Sequence, residues 1–253
     1  MDLIGHYSTA DEGARLTRSA HGRLEFLRTR ELLTRVLPDR SRVLDVGGGT
    51  GVHARWLAAD GHAVHVVDAV PGHVAEAARL PGVTAAVADA RALPAGDGAY
   101  DAVLLLGPLY HLLAAADRRA ALTEALRVLR PGGVLAAAGV SRYCSLLQAG
   151  SLGRLDAAME PSVAEVVATG RYDGHVGFMP THWHTADELA AEVAAAGALD
   201  VAVFGVEGPA WPALDVVADH APLLDAAVRA ARVVERDPLL INASAHLLAV
   251  GTR

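Results

Sequence analysis

The sequence predicts a doubly wound α/β fold, a parallel sheet of seven strands covered by helices, with N-terminal helices and a cap insertion added to it. Three observations predict it. Seven short β-rich runs alternate with Ala- and Leu-rich segments along the 253 residues. The central runs are nearly continuous in apolar residues, the pattern of strands buried on both faces. A glycine-rich turn, Gly47-Gly48-Gly49-Thr50-Gly51, follows the first run, where open parallel sheets bind ligands outside their strand ends.

The elements follow in order. Residues 1–40 form an N-terminal helical cap segment. The opening MDLIGHYSTADEG is acidic and polar and lacks the apolar core of a signal peptide, and 14–37 is an amphipathic helical region. Residues 41–140 hold strands at 42–46, 63–68, 83–87, 101–106 and 133–139, with helices near 51–60, 71–79 and 117–129 making right-handed crossovers. Pro71 suits the first turn of a helix, and Pro131-Gly132-Gly133 stops the helix ending LRVLR and launches the next strand. Residues 141–184 have weak periodicity and carry Gly150, Gly153, Gly170, Gly174 and Gly177, which reads as a mobile lid over an acceptor pocket. Residues 185–253 return to the sheet. A helix near 185–196 opens on Thr185 with Glu188 three residues on, a capping box. A strand at 199–206 follows. Pro-bounded helices at 213–235 sit in a helical insertion, 207–244, before a last strand at 245–250.

Composition removes several function classes. Arg plus Lys is 22 against 29 acids, a net charge of −7, with no basic stripe and no aromatic cluster. Neither nucleic acid nor an anionic membrane is therefore expected as a partner. No run of eighteen apolar residues occurs, so no membrane-spanning helix is expected. Every basic residue is arginine, which excludes a Schiff-base lysine and a P-loop lysine. A single cysteine, Cys144, permits no internal disulfide, reads as buried filler, and makes a cytoplasmic setting the expectation.

The glycine turn narrows the ligand. Glycines let a chain bend sharply and let a ligand lie against bare backbone, and the following helix offers unpaired N–H groups. A P-loop would need lysine. A dinucleotide turn wants Gly-x-Gly-x-x-Gly, and counted from Gly47 and Gly49 its third position is Val52. S-adenosylmethionine needs no pyrophosphate cradle. At this point the sequence resembles the class I S-adenosylmethionine-dependent methyltransferases. LDVGGGTG at 44–51 looks like that family's first motif. Asp68 in VHVVDA, Asp89 in VADA, YDAVLLLGPLYHLL at 100–113 and LRPGG at 129–133 follow in matching order and spacing. A looser similarity reaches bacterial small-molecule methyltransferases that pair HGRLEF-like N-terminal helices with GPLYHL.

The resemblance implies a mostly parallel, Rossmann-like sheet whose last strand runs antiparallel. It also implies methyl transfer from S-adenosylmethionine, with S-adenosylhomocysteine as product, to a metabolite. Asp68 would accept hydrogen bonds from both ribose hydroxyls, with Ala69 beside it, or else serve as a helix cap before Pro71. Asp89 and the Ala90 N–H would meet adenine, or Asp89 caps the short segment 90–93. Asp45 orients the glycine loop (Gly47, Gly48, Gly49) or the cofactor's ammonium group. Leu106 would flank the methionine part, and Arg23 either reaches the cofactor carboxylate or is a surface charge. Tyr110 and His111 would face the methyl acceptor. His111 is either a general base or, with Tyr110, shapes the pocket. Arg142, Tyr143, His182 and His184 are further acceptor contacts. His182 and His184 stand on one side of an extended segment with no carboxylate or cysteine at ligand spacing, so no metal is expected. A homodimer is compatible with the sequence. Two other readings stay open: an NAD(P)-linked oxidoreductase, and a protein that binds the adenosyl cofactor without catalysis.

Overall fold

The computed structural model describes residues 5, 15–175, 179–216 and 221–253; Gly177 and nearly all of the segment before residue 15 lie outside them. After a short turn at Arg15–Arg18 the elements in chain order are α1 (Ala20–Val36), β1 (Arg42–Val46), α2 (Val52–Ala59), β2 (Ala63–Asp68), α3 (Pro71–Ala77), β3 (Val83–Val87), β4 (Tyr100–Leu105), α4 (Pro108–His111), α5 (Ala115–Val128) and β5 (Leu129–Val140). Then come α6 (Cys144–Ser151), α7 (Glu160–Thr169), β6 (Arg171–Tyr172), β7 (Thr181–His182), α8 (Ala186–Ala195), β8 (Leu199–Gly205), α9 (Ala221–Val234) and β9 (His246–Thr252), with 3-10 turns at Trp211–Asp215 and Ile241–Ala243.

Seven strands form one sheet in the order β3-β2-β1-β4-β5-β9-β8. The pairs from β3 to β5 are parallel, and β9 runs antiparallel between β5 and β8. The chain winds outward from β1 to β3 and then returns to place β4 on the other side of β1. This switch point opens a crevice at the carboxyl ends of β1 and β4.

Side chains alternate across the sheet. Leu44, Val46, Val103, Leu105 and Leu135 pack one face against Leu122, Leu126 and Leu189 of α5 and α8. Val43, Val64, Val66, Leu104 and Ala136 pack the other against Leu32 and Leu33 of α1 and Leu57 of α2. Trp211, wholly buried, seats the 3-10 turn on Ala20 and Leu24 of α1.

Two local features differ from the sequence reading. β5 begins at Leu129, two residues before the proline, because Leu129 pairs with Tyr100 ahead of a register shift. The Pro-Gly-Gly stretch therefore lies inside β5. Gly132 takes φ +72° there, and its N–H donates to the Arg253 carbonyl at 2.9 Å. The expected insertion 141–184 contains two helices and a two-stranded ribbon, β6–β7. Tyr172 and Trp183 stack at 4.4 Å in this region and pack with Val140 behind Tyr110. Among the described residues no helix is long and apolar enough to cross a membrane.

Candidate active site

The glycine loop joins β1 to α2 and floors a cleft. Its conformation explains its composition. Gly47, Gly49 and Gly51 all take positive φ, at +68°, +57° and +84°, which costs an L-residue about 1–2 kcal/mol each. A Cβ on Gly47 would stand 2.7 Å from Pro108 Cγ, and one on Gly48 would stand 2.6 Å from Asp45 Oδ2. Side chains are thus excluded both by backbone shape and by close neighbours. Beyond the bend, α2 begins from its N-cap Gly51 with no side-chain cap on its first N–H groups.

Asp45, next to last in β1, and Asp68, last in β2, both stand against this loop. Asp45 is 1% exposed, and its Oδ2 is buried with no hydrogen-bond partner among the described residues. Burial first, and the nearby Asp68 charge second, push its carboxyl up from 3.8 to about 7. Asp68 is also buried, but it is engaged. Its Oδ2 accepts the Gly49 N–H at 2.9 Å and its Oδ1 accepts the Val70 N–H at 2.8 Å. His73 Nδ1 lies 3.5 Å from Oδ1. Asp68 therefore ties the loop to Val70, the residue before α3, while α3 itself has no side-chain cap, and each oxygen can accept a further hydrogen bond.

The cleft is lined by Asp45, Gly47, Gly48, Gly49, Asp68, Ala69, Asp89, Ala90, Leu106, Tyr110 and His111, all expected from sequence. Asp89 is exposed and paired with Arg91 through both oxygens, and the Arg91 guanidinium holds its carboxyl below the ordinary range. Its Oδ1 also accepts the Arg91 N–H at 2.8 Å, so the local capping role is built. The Tyr110 and His111 rings lie 4.6 Å apart at 55° on the short helix α4, directly after Gly107.

Five expected residues lie elsewhere. Arg23 is exposed on α1 and does not line the cleft. Arg142 donates to Glu188 and to the Ala168 carbonyl, and Tyr143 is the residue before α6; neither lines the cleft. His182 and His184 sit edge to face at 4.7 Å, away from the cleft lining. The expectation that no carboxylate stands near this pair is corrected. Helix α8 brings Glu192 Oε2 to 3.4 Å from His184 Nε2, and the three side chains could together hold a metal ion. Arg118 already grips both Glu192 oxygens, at 2.6 and 2.9 Å, which sets a cation against any metal there. Burial, then the neighbouring His184, push His182 down to about 4.

Among the lining residues that the sequence reading missed are Glu25, Thr29, His53, Val206, His246 and Leu248. A signal existed for Glu25. It falls on the buried stripe of α1 with Leu24, Arg28 and Leu32, roughly opposite exposed Arg23, and an acid on an inward face is uncommon without a use.

These residues fit S-adenosylmethionine. The cofactor carries an ammonium group that the unpartnered Asp45 oxygen can accept. Its carboxylate suits the side-chain-free loop and the uncapped start of α2, and its ribose hydroxyls suit Asp68. Comparison with known proteins agrees. Residues 43–133 match the family model of a methyltransferase domain. A ubiquinone/menaquinone biosynthesis C-methyltransferase of Acidiphilium cryptum is 41% identical over 99 residues, 36% of this chain and 39% of that protein. A malonyl-[acyl-carrier protein] O-methyltransferase of Geobacter sulfurreducens is 35% identical over 170 residues, 65% of this chain and 58% of that protein. The chain thus spans about two fifths to three fifths of the length of these relatives. Among solved structures, an S-adenosylmethionine-dependent methyltransferase from Thermotoga maritima, described as a possible histamine N-methyltransferase, shares the fold. Its TM-score is 0.58 at 19% identity, covering 92% of this chain and 91% of that one. The glycine bend, Asp45 near the end of β1 and Asp68 at the end of β2 all fall within residues 43–133, the stretch that matches the methyltransferase-domain model.

Proposed function

We propose that the protein transfers the methyl group of S-adenosylmethionine to a small-molecule acceptor by in-line displacement. The observation that carries the reading is the buried, unpartnered Asp45 oxygen under a loop where a Cβ would collide. In this reading Asp45 accepts the cofactor's ammonium group, the loop backbone at Gly48, between Gly47 and Gly49 whose N–H groups are already bonded, meets its carboxylate, and Asp68 accepts from the ribose. Asp89, the Ala90 N–H, Ala69 and Leu106 surround the rest. Bound there, the cofactor supplies an electrophilic methyl group. The chain's own work is then to align the acceptor and exclude water. Tyr110 and His111 shape the wall beside the reacting centre. The 141–184 insertion, packed behind Tyr110, supports that wall as part of a cap over the 41–140 core, completed by segment 1–40 and by the sheet strands of 185–253. Arg142, Tyr143, His182 and His184 belong to this support and do not touch the acceptor. The cleft is too deeply set among acids to favour nucleic acid, and the cysteine usage suits the cytoplasm.

Val52 lines the cleft where a dinucleotide turn would carry its third glycine, and this favours the methyl donor over NAD(P). The test is to incubate the protein with S-adenosylmethionine and a panel of metabolite amines, phenols and acids and to follow S-adenosylhomocysteine. Its acceptor-dependent formation is expected. Tight cofactor binding with no turnover on any acceptor class would favour a non-catalytic binder.

A further inference from the structure

Helix α4 is a single turn, Pro108–His111, and it carries the two rings of the acceptor wall. One turn does not hold its own shape in water, because it fixes several residues for a single hydrogen bond. Its front is seated by packing: a Cβ on Gly47 would collide with Pro108, and Leu109 is wholly buried. Its back is held from outside. The Leu112 N–H returns to the Leu109 carbonyl at 3.3 Å. The carbonyls of Leu112 and Leu113, which follow His111 directly, both accept from Arg118 Nη1 at 3.0 Å. Arg118 stands near the start of α5 and is 4% exposed. Nε and Nη2 of the same guanidinium grip Glu192 of α8 at 2.9 and 2.6 Å. Glu192 Oε2 in turn faces His184 Nε2 at 3.4 Å. His184 is itself fixed where the 141–184 insertion closes: its N–H donates to the Val140 carbonyl at 2.8 Å, and its carbonyl accepts the Arg142 N–H at 3.0 Å. One buried guanidinium thus joins the end of α4 to α8 and, through Glu192, to the insertion.

We propose that Arg118, locked by Glu192, is a positioning residue for methyl transfer: by clamping the Leu112 and Leu113 carbonyls it fixes α4, so that Tyr110 and His111 hold the acceptor in line with the methyl group. The inference rests on the methyltransferase reading and deepens it by naming what sets the acceptor wall. Neither Arg118 nor Glu192 lines the cleft, so no bond forms or breaks at either and their effect is on alignment alone. The residue type fits the task. A planar guanidinium meets a carboxylate with two N–H groups along one edge while its third nitrogen serves two consecutive carbonyls, and a lysine ammonium has no such fork. In-line displacement is steeply sensitive to placement, a misplacement of about 1 Å costing about a hundredfold in rate. The glycine loop and Asp68 stand on other elements, and the contact of α4 with that loop is through Pro108 at its opposite end. Loosening the clamp therefore leaves cofactor binding in place.

Two variants of the full chain test the inference. Arg118→Lys keeps the charge beside Glu192 and loses the fork. Arg118→Met combined with Glu192→Met removes both charges at once, an exchange that buried pairs often tolerate, and it serves where the lysine variant fails to fold. S-adenosylhomocysteine, titrated calorimetrically, is expected to bind both variants as it binds the wild type. With 3-fluorotyrosine incorporated, the 19F line of Tyr110 is identified by its loss in Tyr110→Phe. That line is expected to be sharp in the wild type and shifted or broadened in both variants. Turnover is measured at saturating S-adenosylmethionine with the metabolite amine, phenol or acid that releases S-adenosylhomocysteine fastest. There kcat is expected to fall by about tenfold or more in each folded variant, the mark of lost alignment rather than lost cofactor binding. An unchanged Tyr110 line, a kcat equal to that of the wild type in a folded variant, or a loss confined to S-adenosylhomocysteine affinity would each overturn the inference. The Tyr110 line needs no acceptor, so it decides the placement of α4 by itself. Failure of the wild type to bind S-adenosylhomocysteine would instead overturn the methyltransferase reading beneath it.

Discussion

Replacing Asp45 by asparagine separates the two roles open to that residue. A carboxyl raised from 3.8 to about 7 keeps its proton in the folded chain at pH values where the unfolded chain has lost it. The Asp45 contribution to stability is therefore greatest below about pH 4, falls as pH rises between the two values, and is flat above about pH 7. At 1.36 kcal/mol per pKa unit the full loss is on the order of 4 kcal/mol, an upper figure because water entering the cleft would relieve part of it. Asparagine cannot ionise, so the variant escapes the loss. Urea denaturation of the unliganded protein at pH 5 and pH 8 is expected to show Asp45→Asn gaining on the wild type by roughly 1–4 kcal/mol across that interval. The same variant is expected to bind S-adenosylmethionine more weakly by about 1.5–3 kcal/mol, the range for a hydrogen bond to a charged group. Binding to the wild type at pH 6 is expected to release about one proton, because an ammonium ion draws the carboxyl back down; calorimetry in two buffers of different ionisation enthalpy reads it. An Asp45→Asn variant less stable than wild type at both pH values, with unchanged cofactor affinity, would refute this reasoning and make Asp45 a loop brace.

Three further outcomes follow from the same geometry. Asp68→Ala should weaken cofactor binding by roughly 1.5–3 kcal/mol in direct titration, and an unchanged dissociation constant would place the ribose elsewhere. Gly47→Ala combines a left-handed φ with a Cβ 2.7 Å from Pro108, so it should cost about 2–4 kcal/mol of stability in urea denaturation, and a neutral result would contradict the loop conformation. Burial opposes ionisation of Glu192, but hydrogen bonds from His184 and Arg118 outweigh it and draw the carboxyl from 4.5 down to about 2. Glu192→Gln should therefore cost about 3 kcal/mol at pH 7, with the gap closing as pH falls from about 4.5 towards 2; a gap that does not change with pH would break the pairing argument.

The sheet was legible because its central strands are apolar on both faces, which leaves a continuous signal in runs such as Ala102–Leu105. The start of β5 was not, since Pro131-Gly132-Gly133 carries the local chemistry of a breaker and only pairing with Tyr100 and Arg253 makes it strand. The floor of the cleft was legible because a glycine bend after a strand has few other uses. Its far wall was not. His246 and Glu25 are separated by most of the chain, and nothing near either in sequence points to the other. Arg142 and His184 were expected in the cleft because they follow the core in sequence, whereas the fold uses them to bind the insertion to α8.

Titration of the unliganded protein with S-adenosylmethionine and, separately, with NAD tests the central claim most directly. The account expects saturable binding of S-adenosylmethionine, lost together with the glycine-loop conformation in Gly47→Ala, and no measurable heat from NAD. Binding of NAD with none of S-adenosylmethionine would contradict it.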